Sequence, residues 1–370
     1  MILSPGGLPF VNNENFRTVL YTGNGGTQSI TGVGFQPDMV WLKNRSQNSY
    51  APRIFDSTRG ATKRLQSSSS SAESTDSTSL TSFDSDGFTL GSDNYVNNNG
   101  DSFVAWCFKA SAGSTSSNSN GSITSTVQAN PNAGFSIVKY TGSGSSASVG
   151  HGLASAPKLI FNKRISESQD WLAVALDWTK YLEPNGTPPF RTANVWTNSA
   201  PTSTTFGVIN STSSNSVEYI NYCWADVAGY QKIDSYEGNG STNGPVVNVG
   251  FEPALVMVKN VDSTDNWLVY DNKRNTTNPR TKLLQWNLSN AEGTEAGAQM
   301  NFYSNGFQSV GEGGGAGSGQ INANGDTYLY LAIAANPDEE SPTLASSFNI
   351  ETYTGTNIDP LVVNSLGFSP

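Results

Sequence analysis

The chain holds few side chains of the kinds that do covalent or acid–base chemistry. It has one histidine, His151, set between Gly150 and Gly152, and two cysteines, Cys107 and Cys223. A triad built on imidazole has only His151 to draw on, and its glycine neighbours make it read as a turn residue. One histidine and two distant cysteines cannot assemble a zinc or copper site. The cysteines occupy the same place in two similar stretches, Phe103-Val104-Ala105-Trp106-Cys107-Phe108 and Tyr219-Ile220-Asn221-Tyr222-Cys223-Trp224, so each is expected as a separate buried thiol, with no disulfide between them. Asp84-Ser85-Asp86-Gly87 sets two carboxylates before a glycine, as a calcium loop begins, but it reads better as a hairpin turn, because Ser304-Asn305-Gly306 keeps the turn without the acids. Glycosidase chemistry needs two carboxyls about 5–9.5 Å apart. Asp177 and Asp271 follow a middle strand at different offsets from Trp171 and Trp267, and no acid recurs in a way that suggests such a pair. The glycine-rich run from Gly311 to Gly319 lacks the lysine and following helix of a phosphate loop and reads as a loose loop. Trp178, Tyr181, Trp196 and Trp286, near loops, could stack on sugar rings, although core packing would account for each of them. The expectation is a chain that is not an enzyme, with no catalytic, cofactor-binding or metal-ligating residue and no cofactor.

The elements that carry these residues recur. Val19-Leu20-Tyr21, Ile137-Val138-Lys139-Tyr140, Ile233-Asp234-Ser235-Tyr236 and Ile350-Glu351-Thr352-Tyr353 each end on a tyrosine, followed two residues later by Gly23, Gly142, Gly238 and Gly355. A second block follows: Val33-Gly34-Phe35-Gln36-Pro37, Val249-Gly250-Phe251-Glu252-Pro253 and Leu366-Gly367-Phe368-Ser369-Pro370, with a delayed Ala156-Pro157 in the second copy. After the proline comes an apolar strand with a basic end, closed by Lys43, Lys163 and Lys259. Tyrosine, β-branched residues and turn glycines at this spacing read as strand, loop, strand. The spacing between copies is too long for a solenoid and long enough for each copy to bury a core of its own.

The fold class expected is all-β: tandem β-sandwich, jelly-roll-like domains, three complete plus the start of a fourth. The divisions are a leader at 1–17, repeats at 18–118, 119–230 and 231–345, and a partial repeat at 346–370. In each closing strand one face, Val104, Trp106 and Phe108, then Ile220, Tyr222 and Trp224, then Leu329, Leu331 and Ile333, must be core. The opposite face, from Phe103, Ala105 and Cys107 to Tyr328, Tyr330 and Ala332, is mixed enough to pack on a second layer or another subunit. The run Ser67 to Ser71 and the stretch 109–122 read as loose surface segments, and 335–347 as a stiff acidic linker.

Composition sets outer limits. Charged residues are 14% of 370, and polarity comes from Ser, Thr and Asn, a pattern of turn-rich β scaffolds. A net charge of −10 makes nucleic acid an unexpected partner. The opening MILSPGGLPF has no basic n-region, and no apolar run is long enough to span a bilayer, so neither an export signal nor a membrane span is expected.

Tyr-Thr-Gly-(Asn/Ser)-Gly, the segment Val149-Gly150-His151-Gly152-Leu153 with Ala156-Pro157-Lys158-Leu159-Ile160, the Asp86-Gly87-Phe88-Thr89-Leu90-Gly91 hairpin and the Ala105-Trp106-Cys107-Phe108 strand together resemble a repeated domain of tail-fibre and other virion structural proteins of tailed phages, especially those of marine bacteria. The resemblance covers residues 18–370 and departs in the 182–200 loop with Pro184, Pro188 and Pro189. It implies a non-enzymatic virion structural protein, a tail fibre or host-attachment component on the particle exterior, made in the host cytoplasm. The alternatives are a capsid decoration protein and, third, a glycan-cleaving tailspike. The expected partners are other virion proteins through the N-terminal region, host surface glycan, and further copies of the chain, a trimer first. The sequence stops at Pro370, just before the strand that follows that proline in the other copies, so a longer natural protein is expected.

Overall fold

In a computed structural model of the chain, residues 15–311 and 318–335 are described, and all of them fall in one compact unit. The fold is all-β and antiparallel, and it is built three times over. In the first copy a six-stranded sheet runs in the order Phe16–Thr22, Ser102–Phe108, Met39–Asn44, Arg53–Asp56, Lys63–Gln66, Ser74–Thr75. A three-stranded sheet, Gln28–Ile30, Gly87–Leu90, Leu80–Asp84, covers one of its faces. The third copy repeats this order with Gln231–Glu237, Thr327–Ala334, Pro253–Asn260, Trp267–Asp271, Lys282–Gln285 and Gly293–Thr294, under a small sheet of Asn243–Asn248, Gly306–Val310 and Gln299–Tyr303. The second keeps the four central strands, Phe135–Thr141, Glu218–Trp224, Leu159–Arg164 and Leu172–Ala175, but extends its sheet on the other edge with Ser125–Asn130 and Ser116–Asn118. Its small sheet is Ala147–Gly150 with Thr205–Val208.

The recurring tyrosine and glycine have one structural job. Before each closing strand the chain makes a short helical turn, and the tyrosine hydroxyl donates to a carbonyl there: Tyr21 to Val96 at 2.6 Å, Tyr140 to Thr212 at 2.5 Å and Tyr236 to Ile321 at 2.7 Å. Each ring also stacks on the first aromatic of the closing strand, Phe103, Tyr219 or Tyr328, with centroids 5.0–5.1 Å apart. The glycine lets the two backbones meet. A Cβ on Gly23, Gly142 or Gly238 would lie 2.1–2.2 Å from a carbonyl oxygen at the end of that turn, closer than any side chain could stand.

Both faces of each large sheet are buried, for different reasons. The Ala105 and Cys107 face meets the small sheet: Val40, Leu42, Phe55, Ala105 and Cys107 pack with Ile30, Leu80, Phe88 and Leu90 to form the first copy's own core. The second copy has an equivalent core around Val138, Ile160, Cys223, Val149 and Phe206. The Trp106 face packs instead on the other copies. Trp41 stacks on Trp106 at 4.0 Å and touches Trp286 of the third copy at 4.5 Å; Phe161 of the second lies 5.3 Å from Trp286 and 5.4 Å from Trp267. Pairs of this kind contribute about 0.5–1.5 kcal/mol each beyond the area they bury.

Three equivalent polar contacts close the arrangement into a ring. The lysine ending each post-proline strand lies on the face shared with the neighbours and donates to a carbonyl of the preceding copy: Lys163 to Ser70 at 3.0 Å, Lys259 to Thr187 at 3.1 Å, and Lys43 of the first copy to Leu288 of the third at 2.5 Å. Two residues past each lysine a carbonyl accepts a backbone N–H from the same neighbouring loop, Glu73 to Ile165, Phe190 to Val261 and Glu292 to Arg45, at 2.8–3.0 Å. A head-to-tail contact repeated three times returns to its start, so the copies stand about a pseudo-threefold axis.

This corrects the expectation of a row of domains each holding itself together: the copies have cores of their own but share a second one. The mixed face, expected to pack on a second layer or another subunit, packs on a second layer, the small sheet of its own copy. The serine run is no loose loop. Ser67 is fully buried with its hydroxyl on the Trp286 carbonyl, and Ser70 receives Lys163. The stretch 109–122 is likewise tied, since the Asp38 carboxylate accepts the N–H groups of Ala110, Ala112 and Gly113. The first copy's sheet opens at Phe16 and the second's at Ser116, slightly ahead of the divisions read from the sequence. Residues 1–14, the acidic linker beyond Ala335 and the partial fourth repeat lie outside the described residues. Among the described residues no helix is long and apolar enough to cross a membrane.

Candidate functional site

Buried ion pairs gather at two of the boundaries between copies. Asp56 and Asp271 end equivalent strands, each at 0–1% exposure, and each accepts from an arginine three residues on, Arg59 and Arg274, at 2.5 Å. The neighbouring copy supplies a further donor from its closing strand: the Tyr222 hydroxyl to Asp56 at 2.7 Å and the Trp106 indole N–H to Asp271 at 3.2 Å. A glutamate completes each set. Glu73 lies 3.2 Å from Arg59, and Glu292 lies 3.3 Å from Arg274 while also accepting from Nε and Nη2 of Arg45 across the boundary at 2.9 Å. Burial pulls the Arg59 guanidinium down, but Asp56, Tyr222 and Glu73 outweigh it and hold the group charged.

At the third boundary the same places are emptied of charge. The register that pairs Met39 with Asp56 and Leu255 with Asp271 pairs Leu159 with Ala175, and the position of Trp106 and Tyr222 is taken by Leu331. Donor and acceptor are lost together, as a buried pair requires, because either alone would be left without its partner. The place of Arg59 and Arg274 is taken by Trp178. Here a cleft of about 350 Å³ opens between the second and third copies, lined by Lys158, Leu176 and Trp178 of the second and by Lys232, Asp234 and Ser235 of the third.

The boundary lysines are depressed by burial, Lys43 to about 7 and Lys163 and Lys259 to about 8. They are short of countercharge and act as donors to carbonyls.

The residues singled out from sequence are dispersed. His151 is fully buried, its Nδ1 accepting the Leu153 N–H and its Nε2 facing the Thr202 carbonyl, and burial lowers its pKa. It pins a turn, as expected. Cys107 and Cys223 are free and buried, as expected, and burial pushes the Cys223 thiol up to about 12. Asp84 and Gly87 face each other across a hairpin, and Asp86 reaches back to accept the N–H groups of Gly34 and Gly32, which lower its pKa. Trp286 and Trp196 are buried, the former in the shared centre, and Trp178 and Tyr181 are half-buried against the second core. Asp177 accepts from the backbone and hydroxyl of Thr179 and has no counterpart role to Asp271. Most of the run after Gly311 lies outside the described residues. Among the described residues no three acidic, histidine or cysteine side chains are gathered as a metal site. What sequence reasoning missed is the recurrence of Asp56 with Arg59 and Asp271 with Arg274. Their shared spacing was the available signal, hidden because the second copy carries Ala175 and Trp178 instead.

No curated protein and no solved structure matches the chain. One family profile runs through all three copies as a single span, residues 12–337, which agrees closely with the limits of the compact unit. On that match the chain belongs to the DUF7483 family, described as a domain of unknown function.

Proposed function

We propose that this chain is a non-enzymatic structural component of a tailed-phage particle, a tail fibre or related host-attachment part, exposed on the particle exterior. The observation that supports it best is where the charged interior is spent: Asp56, Arg59, Asp271, Arg274 and the three lysines all hold copies to one another. That is the economy of a part that works by shape. The outer faces of the small sheets carry hydrogen-bonding side chains, with Ser29 on Thr89 at 3.0 Å, Thr89 on the Asp84 carboxylate at 2.7 Å and Tyr303 on Gln308 at 2.8 Å, a surface suited to contact with glycan or protein. Other virion proteins and host surface glycan are its partners in this reading. The compact ring also favours a second reading, a decoration protein seated on the head, since a closed ring covers a patch better than it spans a distance. Immunogold labelling of purified particles tests both. Label at the tail supports attachment and label over the head supports decoration; particles without the protein overturn both. Host polysaccharide of unchanged length after incubation with the protein removes the tailspike alternative.

A further inference from the structure

The cleft at the third boundary departs from its two counterparts in more than lost charge. Ala175, Leu176 and Asp177 form a three-residue turn closed by the Asp177 N–H on the Ala175 carbonyl at 2.6 Å, with Leu176 at φ +60°, a rare and strained conformation for a branched side chain. The turn holds the Leu176 side chain at the lip of the cleft, 38% exposed, beside the half-buried Trp178 indole. Strain of this kind persists where the surrounding structure imposes it and gathers at binding sites. Lys158 lies beside Leu176, one step past the Leu159–Ala175 pair on the same wall of the cleft. Its backbone N–H is fixed on the Trp224 carbonyl at 2.7 Å, while its exposed ammonium meets no carboxylate among the described residues. In the first copy the same register position holds Asp38, whose carboxylate is consumed by three backbone N–H groups and the Ser57 hydroxyl. The second copy thus has a free cation where the first has a structural anion. Lys232, across the cleft, is held by Asp226 at 2.8 Å and Asp234 at 3.6 Å, leaving carboxylate and hydroxyl oxygens of Asp234 and Ser235 on the wall.

An apolar ring face, one unpaired cation and oxygen acceptors around a volume at the small end of the roughly 300–1,000 Å³ of ligand sites describe the chemistry of a sugar acid. We propose that this cleft binds a carboxylate-bearing sugar, its ring against Trp178 and Leu176, its carboxylate on Lys158 and its hydroxyls on Asp234 and Ser235. A neutral sugar would leave Lys158 unused, and a bare anion would leave the indole unused. The proposal deepens the attachment reading and rests on it, naming the class of surface glycan recognised.

The test follows the Trp178 indole N–H resonance, assigned with Trp178→Phe, as galacturonate, glucuronate, galactose or inorganic phosphate is added to the whole chain. Both uronates are expected to shift it with millimolar affinity, galactose at least about 10-fold more weakly, and phosphate not at all. Lys158→Glu, at an exposed position, is expected to keep the parent melting temperature and to weaken uronate binding about 10-fold or more. An unmoved resonance at about 10 mM uronate, equal shifts by galactose or by phosphate, or undiminished binding by Lys158→Glu would overturn the proposal. Because particle labelling is read separately, a labelled tail with an unmoved indole rejects the sugar-acid site alone.

Discussion

Removing a single hydroxyl, Tyr222→Phe, asks whether the boundary between the first and second copies contributes stability in solution. The hydroxyl donates to Asp56 Oδ2 at 2.7 Å, and both side chains are fully buried. Phenylalanine keeps the ring and its contacts with Trp171 and Trp224, so the substitution removes only the hydroxyl's own bonds, the short donation to Asp56 and a long one accepted from Arg59 at 3.5 Å. A hydrogen bond to a charged partner contributes about 1.5–3 kcal/mol. Asp56 keeps Arg59 after the change, which places the loss near the lower end, about 2 kcal/mol. If the ring unfolds as one body of about 320 residues, its unfolding entropy is about 0.7 kcal/mol/K and the whole transition drops by about 3 °C. A self-sufficient copy of about 100 residues would have an entropy near 0.2 kcal/mol/K, and one partial transition would move by about 10 °C while the others stayed. Differential scanning calorimetry distinguishes the two. An unshifted melt, or a shift confined to one of several peaks, refutes the reasoning, as does a double-mutant cycle of Tyr222→Phe with Asp56→Asn showing coupling below about 0.5 kcal/mol.

Other consequences can be measured on the same protein. A lysine whose folded pKa is depressed leaves the unfolded chain binding more protons, so its contribution is complete above the unfolded pKa of about 10.4 and is lost as pH falls toward the folded value. With Lys43 at about 7 and Lys163 and Lys259 at about 8, stability is expected to rise from pH 7 to about pH 9–10, by several kcal/mol in all. Burial raises Tyr21, Tyr140, Tyr222 and Tyr236, whose contribution is present below about pH 10 and lost above it, so the melting temperature should turn over there. A melting temperature that falls steadily between pH 7 and 9 would contradict the buried placement of the lysines. Trp286→Ala should cost about 3–5 kcal/mol in denaturant titration even though the side chain lies in the shared centre; a loss under about 1 kcal/mol would mean that this centre is not packed in solution. Gly238→Ala should lower the melting temperature through its clash with the Ala323 carbonyl, and an unchanged melt would show that the turn is free to move.

Much of each copy was legible from the sequence because its signals are local. The tyrosine and glycine of the opening strand, the Asp86-Gly87 hairpin and the alternation of Val104, Trp106 and Phe108 are set by neighbours a few residues away or by the pleat of a strand. Ring closure was not legible, since alternation shows that a face is buried without showing what buries it. Trp106 reads as core and Ala105 as packed on a second layer or another subunit, and only the fold shows that the first meets a neighbouring copy and the second its own small sheet. For the same reason Trp286 resembled a loop aromatic and Ser67–Ser71 a flexible run, when both are boundary residues. The cleft beside Trp178 was the least accessible of all, because it arises from substitutions in two copies, Ala175 and Leu331, that meet only after the ring has closed.

Three copies of one sandwich are expected to unfold as a single cooperative body. Calorimetry of the unmodified chain measures this directly, by comparing the calorimetric with the van't Hoff enthalpy. One transition of about 220 kcal/mol with the two enthalpies equal is the expected result for residues Glu14–Ala335. Three resolvable transitions of about 70 kcal/mol each, or a van't Hoff enthalpy near a third of the calorimetric value, would contradict it.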